Sequence, residues 1–118
     1  MPEQSWRILI VEDDYFIASD LVKGFQKAGL TIVGPVPSLS KALACLEQEL
    51  IHGAVLDIEL NGEKVYEVAD VLMSRSIPIV FVTGYERQSV PQRYASVPLC
   101  LKPVDSGIVS GTLRRLIA

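Results

Sequence analysis

Short apolar runs in this sequence end repeatedly at polar side chains that can do chemistry, and this pattern constrains the fold most strongly. The central run lies within residues 53–62, where an apolar stretch delivers one carboxylate, Asp57, and then turns at Asn61-Gly62. Such a pattern predicts a buried strand that leads into a loop. If this run and its equivalents are parallel strands of one sheet, their polar groups meet at the edge where open α/β sheets bind ligands. The three other runs lead to Glu12-Asp13-Asp14, Thr83-Gly84 and Lys102-Pro103.

Apolar residues recur at helical spacing between these runs, so predicted strands and helices alternate along the chain. This alternation predicts a parallel α/β sheet joined by right-handed crossovers. Helix caps are expected at Asp13-Asp14, at Ser38, and at Asp105 or Ser106. The expected inward residues are Ile17, Leu21, Phe25 and Ala28 in the first helix, Leu39, Ala42, Leu43, Leu46 and Leu50 in the second, Val65, Ala69, Leu72 and Met73 in the third, Ile108, Val109, Leu113, Leu116 and Ile117 in the last, and Phe16 and Phe81 elsewhere in the core.

Glycine and proline predict several element boundaries. Gly34-Pro35 should end the second strand, and Gly62 should open the third helix. The segment from Tyr85 to Ser96 contains Pro91 and few apolar residues at helical spacing. It therefore predicts a short or partly frayed helix.

The length and charge of the chain limit its classes of function. With 118 residues and 12.9 kDa, it is expected to form a single domain over residues 1–118 with no output domain. A net charge of −3 without a basic cluster argues against DNA binding. The sequence has no stretch long and apolar enough for a membrane span and no secretory signal at Met1-Pro2-Glu3-Gln4, which predicts a soluble cytoplasmic protein. Cys45 and Cys100 are expected to be small buried hydrophobes, and His52 an exposed turn residue.

Several carboxylates at one sheet edge need a cation to offset their repulsion. Because the available ligands are oxygen atoms, the expected ion is Mg²⁺ rather than zinc. Thr83 offers a hydroxyl, Lys102 a positive charge, and the backbone amides around Ile58 and Gly84 further donors for a phosphoryl group. Asp57 would supply the attacking carboxylate oxygen and form an aspartyl phosphate.

The order of these residues resembles the receiver domain of two-component response regulators, over the whole chain. The resemblance implies a flavodoxin-like (βα)5 sandwich, an α/β fold whose five-stranded parallel sheet has the order 2-1-3-4-5 with helices on both faces. The matching motifs are Val11-Glu12-Asp13-Asp14, Leu56-Asp57-Ile58, Val82-Thr83-Gly84 and Leu101-Lys102-Pro103.

The resemblance also implies a role for each polar group. Asp57 would accept the phosphoryl group from the histidine of a sensor kinase, while Thr83 and Lys102 would bind its oxygens. The family commonly has a cis peptide before its proline, here Lys102-Pro103. The implied Mg²⁺ ligands are Glu12, Asp13, Asp57 and the backbone carbonyl of Glu59, and the implied modulators of the site are Ile58, Gly84, Tyr85 and Pro103.

Residues 61–66 and 78–85 resemble, more narrowly, the alphaproteobacterial receivers that carry a Phe-Ala-Thr-Gly-Tyr type of motif. Many of these are single-domain proteins paired with histidine kinases of the HWE class. This chain departs from that motif at Val82, and it has Leu99 where ordinary receivers carry an aromatic residue. Signalling is therefore expected to run through Thr83, Tyr85 and the weak segment that follows.

The sequence thus predicts a stand-alone receiver, monomeric or weakly dimeric, that catalyses only its own phosphorylation and dephosphorylation. It would bind a downstream protein, pass its phosphoryl group to a phosphotransfer protein, or act as a phosphate sink. The alternatives are an aspartate-nucleophile phosphatase, a flavodoxin-like electron carrier and a phosphorylation-independent interaction domain. The phosphatase would carry its nucleophile near the N-terminus, and the electron carrier would need a hydroxyl-rich phosphate loop where Glu12-Asp13-Asp14 stands.

Overall fold

Five parallel strands form the central sheet of the computed structural model, which describes residues 5–84 and 87–118. The strand order is β2-β1-β3-β4-β5, which confirms the predicted flavodoxin-like order. The strands are β1 (Arg7–Val11), β2 (Thr31–Val36), β3 (Gly53–Asp57), β4 (Ile79–Thr83) and β5 (Leu99–Leu101).

Helices cover both faces of the sheet. Strand residues alternate between the faces, so Leu9 and Val11 join one core cluster and Ile8 and Ile10 the other. The first cluster is covered by α2 and α3, and the second by α1 and α4. The helices are α1 (Tyr15–Lys27), α2 (Leu39–Gln48), α3 (Tyr66–Ser74) and α4 (Ser106–Ile117). Side chains of Asp14, Ser38 and Asp105 accept hydrogen bonds from first-turn amides of α1, α2 and α4.

The connection between β4 and β5 differs from the predicted helix. Its described part consists of two 3₁₀ turns, Arg87–Ser89 and Gln92–Tyr94. Pro91 precedes the second turn, where its missing N–H and fixed φ suit a helix start but stop a longer helix from running through. Tyr94 from this connection is fully buried in the core.

Strand β2 runs past its predicted end. It continues through Gly34-Pro35, joined by a cis peptide, to Val36, whose carbonyl accepts a hydrogen bond from Glu12 N at 3.0 Å. Proline is tolerated here because β2 is an edge strand, and edge strands need not donate every N–H to a neighbour. The extended end of β2 therefore lies beside Glu12, the residue that follows β1.

Several residues predicted to face inward are exposed instead. Leu50 lies beyond the last residue of α2, and Phe16, Met73, Ile108 and Leu116 lie on the outer faces of their helices. The buried face of these helices is therefore narrower than the spacing of apolar residues in the sequence predicts. Phe25 and Phe81 are fully buried, as predicted.

Three further side chains, two cysteines and one histidine, differ in burial from what the sequence predicts. Cys45 and Cys100 are half-buried free thiols, less enclosed than expected. His52 is half-buried rather than exposed, because its Nδ1 accepts a hydrogen bond from Arg7 N at 2.9 Å. None of the helices in the described part of the chain combines the length and apolar character that crossing a membrane requires.

Candidate functional site

Three carboxylates meet at the carboxyl end of the sheet. Asp57 is the last residue of β3, and Glu12 and Asp13 directly follow β1. One carboxylate oxygen from each lies within 4.8 Å of the others. Glu12 and Asp57 are only 3% and 4% exposed, so their charges lie in a poorly solvated environment.

Lys102, just after β5, bridges two of these acids. Its Nζ lies 3.1 Å from Asp57 Oδ2 and 3.2 and 3.3 Å from the two oxygens of Glu12. The backbone N–H of Lys102 donates to Thr83 O at 2.8 Å, which ties the lysine to the end of β4. One ammonium group thus neutralises part of the negative charge of two buried carboxylates.

The burial of these groups shifts their pKa values. Burial raises the pKa of Glu12 to about 7, and the nearby charge of Asp57 adds to the rise. Burial also raises the pKa of Asp57, against the opposing effect of Lys102. Burial alone would lower the pKa of Lys102, but the charges of Asp57 and Glu12 outweigh it and raise that pKa. Lys102 therefore stays positively charged beside the two acids.

The donor set fits a hard divalent cation such as Mg²⁺. All three side chains of the cluster offer carboxylate oxygens. Glu12 Oε1 is buried and makes no hydrogen bond within the described structure, although Lys102 Nζ is near enough to form an ion pair. A cation would supply the missing interaction and offset the excess negative charge.

The predicted helix start at Gly62 is wrong, because a small hairpin occupies this place. Two short strands, Glu59–Leu60 and Glu63–Lys64, pair in antiparallel fashion, and α3 begins only at Tyr66. Asn61-Gly62 forms the turn, and Asn61 N donates to Asp13 Oδ2 at 3.0 Å. Sequence reasoning identified the Asn-Gly turn but missed the hairpin, although this dipeptide is a strong hairpin signal.

Strand β3 leads directly into this hairpin. Glu59 N donates to Asp57 Oδ1 at 3.3 Å, and Lys64 Nζ contacts Glu59 Oε1 at 3.0 Å. Ile58 is fully buried, and its N–H already donates to Val82 O at 3.3 Å. The amide that donates to the Asp57 carboxylate is therefore that of Glu59, whereas that of Ile58 donates to β4.

The remaining predicted site residues flank the carboxylates. Thr83 ends β4 and is 1% exposed, while Gly84, the next residue, is exposed. Pro103 is exposed and follows Lys102 through a cis peptide, as expected. Tyr85, a predicted modulator of the site, lies outside the described residues.

A buried tyrosine that the sequence did not single out anchors the neighbouring connection. Tyr94 O–H donates to Asp70 Oδ1 at 2.5 Å and to Tyr66 O at 3.2 Å. Its ring stacks on Tyr66 and meets Phe81 edge to face, while Arg93 lies over its face, 4.5 Å from the ring centre. No periodic pattern surrounds Tyr94, so only its size and its place after Pro91 could have marked it.

Comparison with known proteins gives one consistent family. The model of the response regulator receiver domain matches residues 8–99. The solution structure of SdrG from Sphingomonas melonis Fr1 is 38% identical, with a TM-score of 0.83 over 97% of this chain and 98% of that one. The BeF3-activated conformation of SdrG, from Pseudomonas melonis Fr1, is 37% identical, with a TM-score of 0.78 over 95% of this chain and 96% of that one.

A curated relative shows the same relationship at greater distance. The phyllosphere-induced regulator PhyR of Methylorubrum extorquens is 27% identical over 119 residues, which include 98% of this chain. The match covers 45% of PhyR, so the chain spans about half the length of that protein. With the five-stranded fold and the family model in agreement, the chain belongs to the response regulator receiver domain family of two-component systems.

Proposed function

We propose that this chain is a Mg²⁺-dependent phosphoacceptor, which takes a phosphoryl group from a sensor histidine kinase onto Asp57 and then signals through another protein. The observation that carries this proposal is the position of the Asp57 carboxylate. It lies at the sheet edge, 3.1 Å from the Lys102 ammonium and beside Glu12 and Asp13. In this arrangement Asp57 would be the nucleophile, Lys102 the cation for the phosphoryl oxygens, and the three clustered acids the metal site.

Family membership sets the general role. Receiver domains are signalling domains rather than classical enzymes, they typically bind Mg²⁺, and they interact with histidine kinases and downstream partners. We propose in addition that the only reactions this chain catalyses are its own phosphorylation and dephosphorylation. Residues 1–118 would act as one receiver unit, monomeric or weakly dimeric.

In the proposed reaction, an oxygen of the Asp57 carboxylate attacks the phosphorus of the kinase phosphohistidine. The P–N bond breaks, the imidazole keeps the electron pair, and an acyl phosphate remains on Asp57. Lys102 then exchanges an Asp57 oxygen for a phosphoryl oxygen, and Thr83 offers its hydroxyl to another. Glu12, Asp13, Asp57 and the Glu59 carbonyl would hold the Mg²⁺, which when bound offsets the negative charge of the phosphoryl group.

The signal would leave through the connection between β4 and β5. Thr83 precedes it directly, and Leu99 stands where an aromatic switch residue is usual. We propose that the added charge on Asp57 reorders Tyr85 and the segment after it, while Ile58, Gly84 and Pro103 modulate the site. The readout surface would comprise this segment, β5 and α4.

The partners are proposed from chemistry and likeness. The resemblance of residues 61–66 and 78–85 to the alphaproteobacterial receivers supports a kinase of the HWE class. The net charge of −3 without a basic cluster supports protein partners rather than DNA, and we propose a cytoplasmic role. The phosphoryl group would change binding to a downstream protein or pass to a phosphotransfer protein. If the chain acted only as a phosphate sink, it would accept the phosphoryl group from the kinase but form no complex with a downstream protein.

Titration with beryllofluoride tests the site without any kinase, because beryllofluoride takes the place of a phosphoryl group on an acceptor carboxylate. In ¹⁵N NMR spectra, wild type should saturate when Mg²⁺ is present and stay unchanged when EDTA replaces it. Asp57→Asn should not respond, whereas the exposed-acid control Asp20→Asn should behave like wild type. A response in Asp57→Asn, or none in wild type, would contradict the proposal.

A further inference from the structure

We infer that the Asn61-Gly62 hairpin, residues 59–64, is a positioning element for the metal site. The inference rests on the proposed Mg²⁺ function and extends it to residues that are not ligands through their side chains. Its basis is the connection of one small preformed hairpin to two of the three clustered carboxylates.

The first connection runs from the turn to Asp13. The backbone N–H of Asn61 donates to Asp13 Oδ2 at 3.0 Å. Asp13 is the more exposed member of the acidic cluster, and it lies in the linker between β1 and α1 rather than in a strand. A side chain in such a place loses more rotamer freedom when it binds a metal than one held in a strand. The N–H of Asn61 removes part of that freedom in advance by fixing the carboxylate.

The second connection runs from the first strand of the hairpin to Asp57. Glu59 N donates to Asp57 Oδ1, and Glu59 is paired with Lys64 across the hairpin. The Lys64 ammonium also holds the Glu59 carboxylate at 3.0 Å. Leu60, the next residue, is 1% exposed and anchors the hairpin in the core. The main chain at Glu59 is therefore fixed from both sides.

The turn depends on two residues in the left-handed conformation. Asn61 has a φ of 50° and Gly62 a φ of 86°. Asparagine and glycine adopt this region readily, whereas other residues are disfavoured there by roughly five- to thirtyfold. A Cβ added at Gly62 would meet no heavy atom within 4 Å. A substitution at Gly62 therefore changes the backbone preference of the turn and no packing contact.

The chain contains a matched control for this substitution. Gly29, which follows α1, has a φ of 82°, and a Cβ there would likewise meet nothing within 4 Å. Gly62→Ala and Gly29→Ala should therefore destabilise the fold by similar amounts. Only Gly62 belongs to the hairpin beside the carboxylates, so only its substitution should affect metal binding.

The test is the dissociation constant of Mg²⁺, measured by calorimetry on wild type, Gly62→Ala, Gly29→Ala and Gly62→Asn. We expect Gly62→Ala to raise the dissociation constant about three- to tenfold, because a smaller fraction of molecules holds the binding geometry. Gly29→Ala should match wild type. Gly62→Asn should restore most of the affinity, since asparagine tolerates the left-handed region.

Each result has one meaning. Equal dissociation constants for Gly62→Ala and Gly29→Ala would overturn the positioning role and leave the proposed function intact. Wild type that binds no Mg²⁺ would overturn the proposed function itself. NMR gives a second readout, because the Asn61 amide should exchange with solvent faster in Asp13→Ala than in wild type. An unchanged exchange rate would contradict the hydrogen bond on which the inference rests.

Discussion

At the residue scale, the site is an unbalanced set of buried charges. Glu12 and Asp57 share one ammonium group, that of Lys102, and Asp13 adds a further negative charge nearby. Buried charges are costly unless they are paired, so the metal-free site should lower the free energy of unfolding, and a bound cation should raise it again. The next two predictions concern the acid Glu12 and the cation Lys102 of this site.

The first concerns the acid. The pKa of Glu12 is raised from 4.5 to about 7, chiefly by burial. The raised pKa stabilises the fold fully at a pH below the unfolded value, and this stabilisation is lost as the pH rises through about 7. Metal-free wild type should therefore lose more stability than Glu12→Gln between about pH 5 and about pH 8. Urea unfolding in EDTA measures this difference, and saturating Mg²⁺ should shrink it. Parallel pH profiles for the two proteins would contradict the assignment.

The second concerns the lysine. Lys102→Ala leaves two buried carboxylates without their cation, which should cost roughly 3 kcal/mol of unfolding free energy in EDTA. The exposed control Lys41→Ala should change stability by less than about 0.5 kcal/mol. Mg²⁺ should recover part of the loss in Lys102→Ala. Denaturant unfolding checks both variants, and a Lys102→Ala protein as stable as the control would disprove the ion-pair argument.

The sequence predicted the grouping of these residues because each polar side chain follows a strand, and strand ends of a parallel sheet share an edge. It could not predict how far single side chains are buried. Phe16 is apolar but lies in the first turn of α1, away from the sheet, and His52 is half-buried because it accepts a hydrogen bond from Arg7. Such contacts depend on neighbours that are distant in sequence.

At the element scale, the β4–β5 connection is held by side-chain contacts more than by its own secondary structure, since Val90, Tyr94 and Val97 are buried in the core and Arg87 donates to the carbonyls of Tyr94 and Val97. Its two 3₁₀ turns are short, and Tyr94 fastens them to α3 through Asp70 and Tyr66. The hydrogen bond from Tyr94, followed by that from Arg93, lowers the pKa of Asp70. The connection is therefore a distinct unit whose attachment can be weakened selectively.

Tyr94→Phe tests this attachment, because it keeps the ring packing and removes only the hydroxyl. The loss of hydrogen bonds to Asp70 and Tyr66 should cost about 1 kcal/mol of unfolding free energy. Hydrogen exchange should accelerate within residues 87–97 more than in the central strands. Arg93→Ala removes an exposed ion pair and should have the smaller effect. Uniform acceleration over the whole chain would contradict a local anchor.

The elements themselves were largely predictable, and the exceptions have identifiable causes. Strand β2 passes Gly34-Pro35 because an edge strand accepts proline, a fact that depends on sheet order rather than on local sequence. The hairpin strands have two residues each, too few for an alternating pattern to show. The sequence predicts that the connection after β4 is weak, but its form depends on the burial of Val90, Tyr94 and Val97 in the core.

At the scale of the whole molecule, signalling by the proposed phosphorylation requires that Asp57 influence a surface beyond its own contacts. Thr83 and Lys102 are joined by a backbone hydrogen bond, and the connection between their strands begins directly after Thr83. A phosphoryl group that engages both residues should therefore disturb the connection.

Hydrogen exchange with and without beryllofluoride and Mg²⁺ measures this disturbance. Residues 87–97 should change their exchange rates when beryllofluoride binds, while residues of α2 should not. Asp57→Asn should show no change anywhere, which controls for the reagents. If exchange in residues 87–97 stays constant while the site is saturated, the proposed route of the signal is wrong.

Intact mass spectrometry after incubation with the small-molecule donors acetyl phosphate and phosphoramidate shows whether Asp57 is phosphorylated with the help of Mg²⁺. Wild type and the control Asp20→Asn should each gain one phosphoryl group with Mg²⁺ and none with EDTA, and Asp57→Asn should gain none. A phosphoryl adduct that persists in Asp57→Asn, or no adduct on folded wild type from either donor, would contradict the account.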